Sequence, residues 1–154
     1  MSKNPALTGQ DEAEIARLLA DYAFSLDRRD WPRVVSLFTE DVSLQVAFDD
    51  YLPEAADFQG ASSGSKAVVE GLSQQFKKYD GTQHLLGASQ FEVTDGGVHA
   101  VTQFVAHHHR GSDYYHTGGT YDDDLVRTPD GWKIARRALL VHWTTGSPDV
   151  VLAP

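Results

Sequence analysis

Between Asp11 and Asp27 the apolar side chains Ile15, Leu18, Leu19, Tyr22, Ala23 and Leu26 recur at steps of three and four residues, the stripe of an amphipathic helix. A second, shorter helix is predicted from Asp30, a good N-cap, with Pro32 tolerated in its first turn and Val34, Val35, Leu37 and Phe38 behind it. The period then changes. Val42, Leu44, Val46 and Phe48 alternate with polar or small residues, as in a half-buried strand. Residues 49–64, acidic and rich in Pro, Ala, Ser and Gly, suggest a surface loop with a short strand near Phe58, and Ser65 can cap a third helix carrying Val68, Val69, Leu72 and Phe76. From Thr82 onward, TDGG at 94–97, RGSD at 110–113 and TPDG at 128–131 cut the chain into four strands joined by tight hairpins. Helices followed by an antiparallel meander predict an α+β domain with its helices packed on one face of a curved sheet.

Hairpin loops also fix which side chains share a face. An even-numbered first loop sets His84 opposite His107 or His109, and a two-residue second loop brings His116 to the same face. A Pro129-Asp130 loop in the third hairpin adds Arg137, sets Trp143 opposite His116, and leaves His108 and His142 on the other side. An odd loop or a bulge inverts this parity beyond it. The His84 strand carries apolar residues on both faces, Leu86 and Ala88 on one and Leu85, Phe91 and Val93 on the other. Both faces are therefore expected to be covered, one by the helices and one by a second subunit.

Composition narrows the chemistry. At 154 residues and 41% apolar the chain is one domain with one core. Its 22 acidic and 13 basic residues give a net charge of −9, which argues against nucleic acid and anionic membranes as partners. The absence of cysteine rules out disulfides, thiolate metal sites and thiol nucleophiles. With neither an apolar signal core nor a spanning segment, the expected compartment is cytoplasmic. His84, His107 and His109 could in principle form a three-histidine zinc site, but no HExxH-type motif accompanies them and no metal is expected. Acid–base work by histidine demands less geometry. Asp27 stands at the C-terminal end of the first helix, where the dipole disfavours a carboxylate, and together with Tyr22 it borders the apolar stripe.

Three segments, LLADYAFSLDRRDWPRVVSLFTEDV, TQHLLGASQFEV and GGTYDDDLVRTPDGWKIARRALLVHWTTG, resemble the SnoaL-like domains of the nuclear transport factor 2-like superfamily over residues 10–146. The resemblance leaves residues 1–9 as a flexible segment and 147–154 as a tail. It implies a cone-shaped, curved antiparallel sheet closed by three helices around a deep pocket. The superfamily includes scytalone dehydratase, bile-acid 7α-dehydratase, a dehydrochlorinase, polyketide cyclases and ketosteroid isomerase, along with noncatalytic members. In its dehydratase branch an Asp near the end of the first helix pairs with a His on the strand after the third helix, positions matched here by Asp27 and His84. Tyr22 and Arg137 match further family positions, and His107 or His109 stands where scytalone dehydratase has a second catalytic histidine. The implied function is a cofactor-independent dehydratase, lyase or isomerase acting on a small hydrophobic cyclic molecule, in a homo-oligomer (trimer or dimer). Phe24, Phe38, Phe76, Leu86, Tyr121 and Trp143 are expected to line the substrate site. The alternative is a noncatalytic small-molecule-binding or assembly domain of the same fold.

Overall fold

The computed structural model describes residues 6–56 and 60–154, so Phe58 and the first five positions lie outside the described residues. Helix α1 (Gly9–Arg28) begins in a capping box: Thr8 accepts from the Asp11 amide and the Asp11 carboxylate accepts from the Thr8 amide. Leu7 packs on the core just ahead of this cap. Helix α2 (Trp31–Leu37) is capped by Asp30 and leads directly into strand β1 (Phe38–Phe48). A 3₁₀ turn at Pro53–Ala56, a short strand β2 (Gly60–Ser63) and helix α3 (Ser65–Phe76) complete the first half. The meander follows as β3 (Gly81–Thr94), β4 (Gly97–Arg110), β5 (Asp113–Thr128) and β6 (Gly131–Gly146). The tail ends in a helical turn, α4 (Asp149–Leu152), with Val150 and Val151 buried.

The strands form one curved, unclosed sheet in the order β2-β1-β6-β5-β4-β3, with β1 parallel to β6 and every other neighbour antiparallel. Ile15, Leu19, Tyr22 and Leu26 of α1 are buried in the core, which shows the apolar stripe facing the sheet as its spacing predicts. Among the described residues no helix is long and apolar enough to cross a membrane.

Three irregularities decide which side chains face inward; one, between Asp124↔Arg136 and Leu125↔Ile134, leaves Ala135 as an extra residue on β6. From the hairpin end, β3 and β4 pair as the two-residue turn dictates as far as Ser89↔Thr102, but the next pair is Leu86↔Phe104. Gly87 and Ala88 thus share one partner position, a bulge that inverts the parity of everything beyond it. His84 consequently lies opposite Ala106, not opposite His107 or His109. A second shift between Gly119↔Val141 and Gly118↔Trp143 leaves His142 as the extra residue on β6. These shifts correct the expected faces. His84 and His108 share the inner face, while His107, His109 and His116 stand together on the outer one. Trp143 is also outside, packed against Gly118, where a Cβ would lie 2.1 Å from the indole.

Candidate active site

A cavity of about 160 Å³ lies between the helices and the inner face of the sheet. It is lined by Tyr22 and Leu26 from α1, Phe76 from α3, His84 and His108 from the meander, and Tyr121 and Arg137 deeper in. Tyr79, Tyr115 and Thr117 add polar edges, and Val151 of α4 completes the wall.

Asp27 and His84 meet at its rim. The carboxylate Oδ1 lies 2.7 Å from His84 Nδ1, and Oδ2 accepts from the His84 backbone amide at 2.9 Å. The Thr82 hydroxyl donates to Oδ1 at 3.0 Å, and Arg29 in turn donates to the Thr82 oxygen at 2.8 Å. Local geometry at the helix end makes this possible. Arg29 takes a left-handed conformation (φ 61°) that stops α1 one turn after Leu26, and its guanidinium holds the Leu26 and Asp27 carbonyls. Burial on its own pushes the Asp27 carboxyl up, but hydrogen bonds from the His84 ring and amide and from Thr82 outweigh it and hold the group below its ordinary value. Asp27 is therefore anionic at neutral pH and can only accept, so His84 Nδ1 carries a proton and Nε2 is the ring nitrogen left for a substrate. The His84 side chain is only 6% exposed and stacks on Phe76, with ring centroids 5.9 Å apart.

His108 is fixed differently. Its Nδ1 lies 3.1 Å from the Tyr115 carbonyl oxygen, an obligate acceptor, so that nitrogen is again the protonated one. Burial, reinforced by the neighbouring His84, pushes its pKa down to about 4. The ring is neutral at pH 7, and it meets the His84 ring edge to face at 5.8 Å.

At the base of the cavity Arg137 makes a bidentate pair with Asp123, both contacts at 2.7 Å, with 1% and 0% of the side chains exposed. The guanidinium lies 4.1 Å from the Tyr22 ring centroid and 4.0 Å from that of Tyr121, a cation between two aromatic faces. Burial alone disfavours the charge, but Asp123 overrides it and raises the Arg137 pKa further. Arg137 NH1 is buried without a hydrogen-bond partner among the described residues. Burial also pushes the Tyr22 hydroxyl up, with the Arg137 charge pulling the other way.

Of the residues singled out from sequence, Asp27, His84, Tyr22, Arg137, Phe76 and Tyr121 converge on this cavity. His107 and His109 do not: the Gly87-Ala88 bulge turns them outward, where their rings cluster with His116 at 4.2 and 5.4 Å. With His84 on the opposite face, the three-histidine metal set is not assembled. Phe24 is exposed on α1 beneath Arg28. Phe38 packs behind Tyr22 in the core, Leu86 packs beside the core without lining the cavity, and Trp143 faces outward. The spacing argument missed His108, Thr82, Arg29 and Asp123. A glycine inside a strand, here Gly87, is the signal for a bulge that could have redirected the parity to His108.

The sequence matches the SnoaL-like domain family over residues 8–138. It is 31% identical over 132 residues to the uncharacterized protein Rv2910c of Mycobacterium tuberculosis, covering 82% of each chain. Among solved structures, the fold is similar to that of a protein assigned as a scytalone dehydratase from Novosphingobium aromaticivorans (TM-score 0.72, 22% identity, 88% of this chain and 87% of that one). It is also similar to a hexachlorocyclohexane dehydrochlorinase of type 2 (TM-score 0.73, 17% identity, 96% of this chain and 98% of that one). At these identities the structural likenesses speak to the fold.

Proposed function

The chain belongs to the SnoaL-like domain family, and from that premise we propose that its cavity carries out cofactor-independent elimination or proton transfer on a small, apolar ring compound. The observation that carries the reading is the Asp27–His84 pair, 2.7 Å apart at the rim of a mostly apolar cavity. A binding module has no evident use for a half-buried carboxylate aimed at a buried imidazole. The names of two structural neighbours, a scytalone dehydratase and a hexachlorocyclohexane dehydrochlorinase, denote eliminations and are in keeping with this reading.

His84 Nε2 takes a proton from carbon, and Asp27 holds the ring in orientation and stabilises the imidazolium that forms. Negative charge developing on a carbonyl oxygen is met by the unpartnered Arg137 NH1 and the Tyr22 hydroxyl. The electron pair of the broken C–H bond forms the new double bond as the leaving group departs from the next carbon. His108 is neutral and has its proton committed to Tyr115, so it acts as an acceptor that orients a substrate hydroxyl, in place of the proton donor expected at His107 or His109. The His84 imidazolium then returns its proton to the departing oxygen. A cavity of about 160 Å³ favours a single small ring, since apolar cavities of roughly 150 Å³ take up benzene.

The test uses cyclohexanone and 3-hydroxycyclohexanone as probes. The parent protein is expected to catalyse deuterium exchange at the carbon next to the carbonyl in heavy water and to form the cyclic enone. His84→Ala and Asp27→Asn are expected to lose both. Exchange by His84→Ala at the parental rate contradicts the reading.

A further inference from the structure

The bulge at His142 builds a second constellation on the outer face, separate from the cavity. His142 Nδ1 lies 3.1 and 3.2 Å from the two carboxylate oxygens of Asp49, and its Nε2 lies 3.2 Å from the Thr120 hydroxyl. A carboxylate only accepts, so Nδ1 carries the proton and Nε2 is left to accept from Thr120 Oγ1. Asp49 is itself anchored, its amide donating to the Val141 carbonyl at 2.9 Å, and the Tyr51 hydroxyl donates to the His142 carbonyl. Gln103 lies directly across from Thr120 in the β4–β5 register. Thr120, His142 and Gln103 border a groove of about 440 Å³ walled by Leu85, Val105 and Trp143, with Asp49 behind His142. Leu85 and Trp143 are 49% and 43% exposed, large apolar surface left open to a ligand.

We propose that this groove is a second catalytic site, an acyl-transfer centre for short-chain carboxylic esters in which Thr120 is the nucleophile, His142 its base and Asp49 a positioning residue. The arrangement supplies a hydroxyl hydrogen-bonded to an imidazole, an imidazole oriented by a carboxylate, and an apolar wall for the acyl chain. Thr120 Oγ1 bonds to the ester carbonyl carbon as its proton passes to His142 Nε2. The tetrahedral intermediate collapses by breaking the bond to the alcohol oxygen, which leaves with that proton. A water molecule deprotonated by His142 then attacks the acyl-threonine ester, releasing the acid and restoring Thr120. The bulge is what permits this, because it puts both His142 and Trp143 on the outer face, where regular alternation allows only one.

The test is hydrolysis of p-nitrophenyl butyrate by the full chain, with the acylated protein trapped and mapped by mass spectrometry. Expected are a burst of p-nitrophenolate and a butyryl adduct on the peptide containing Thr120. Thr120→Val, which suits a half-buried strand position, is expected to abolish the adduct and lower kcat/KM at least ~10-fold, and Thr120→Ser to retain both. His142→Gln is expected to match Thr120→Val. Asp49→Asn is expected to lower the rate and move its rising pH limb to lower pH, a change that loss of structural support alone does not produce. Hydrolysis by Thr120→Val at the parental rate overturns the proposal, as does an adduct on a lysine or histidine. So does activity that vanishes in His84→Ala while surviving in Thr120→Val, or hydrolysis no faster than that of free imidazole.

Discussion

The inner and outer faces of the meander use the same residue types within one or two positions of each other, yet hold them in different ways. Inside, His84 and His108 each have one ring nitrogen committed to an oxygen that only accepts, and each presents the other nitrogen in a dry cavity. Outside, His107, His109 and His116 touch mainly one another and Tyr114. The arginines repeat the contrast. Arg137 is fully buried against Asp123, whereas its neighbour Arg136 sits on the partly exposed face with Asp122 and Asp124. The two inner histidines are set apart by a fixed ring orientation in a buried setting, and the clustering of His107, His109 and His116 supplies neither.

The contrast is broken most severely in turnover. His84→Ala is expected to lower the rate of proton abstraction by about 10²–10⁴-fold, the usual contribution of a positioned base, while His107→Ala and His109→Ala change it less than about two-fold. Steady-state kinetics on the cyclic ketone probes measure both. In stability, Asp123→Ala leaves a buried guanidinium uncompensated and should cost about 3–5 kcal/mol, against less than about 1 kcal/mol for Asp124→Ala on the outer face. Urea denaturation of the two variants compares them directly.

A smaller effect appears on acidification. His108 titrates at about 4 when folded and near 6.5 when unfolded, so between those values the unfolded chain binds the extra proton. Stability is therefore lost as pH falls through this window, by on the order of 2 kcal/mol at pH 5. His108→Phe keeps the packing and removes that slope, which melts at pH 7 and pH 5 detect. The smallest effect comes from Thr82→Val, which deletes one hydrogen bond to Asp27 worth about 1 kcal/mol. A several-fold loss in kcat with little change in KM is expected.

Much of this was legible in the sequence, for identifiable reasons. The three- and four-residue spacing from Ile15 to Leu26 fixed the buried face of α1 and brought Tyr22 and Asp27 to the cavity, because helix periodicity is local. The turn segments placed all three hairpins, and the register next to each turn is the one that its two-residue loop requires. Parity failed only past the bulges at Gly87-Ala88, Ala135 and His142, since a single inserted residue changes every face beyond it while leaving the apolar pattern nearly intact. That is why His108 was assigned outward and His107, His109 and Trp143 inward. Arg137 came out on the correct face even though its register partner proved to be Asp123 instead of Asp122. The Arg29–Thr82–Asp27 chain was invisible because it depends on a left-handed arginine, a conformation that residue type does not advertise.

The central claim, that Asp27 fixes the His84 ring with its proton on Nδ1 and Nε2 left as the base, is tested most directly by long-range ¹H–¹⁵N NMR of the imidazole side chains at neutral pH. The account predicts a single Nδ1-protonated tautomer for His84, with a deshielded Nδ1 proton that disappears in Asp27→Asn, alongside averaged tautomers for His107 and His109. A His84 ring protonated on Nε2, or averaging like its outward-facing neighbours, contradicts it.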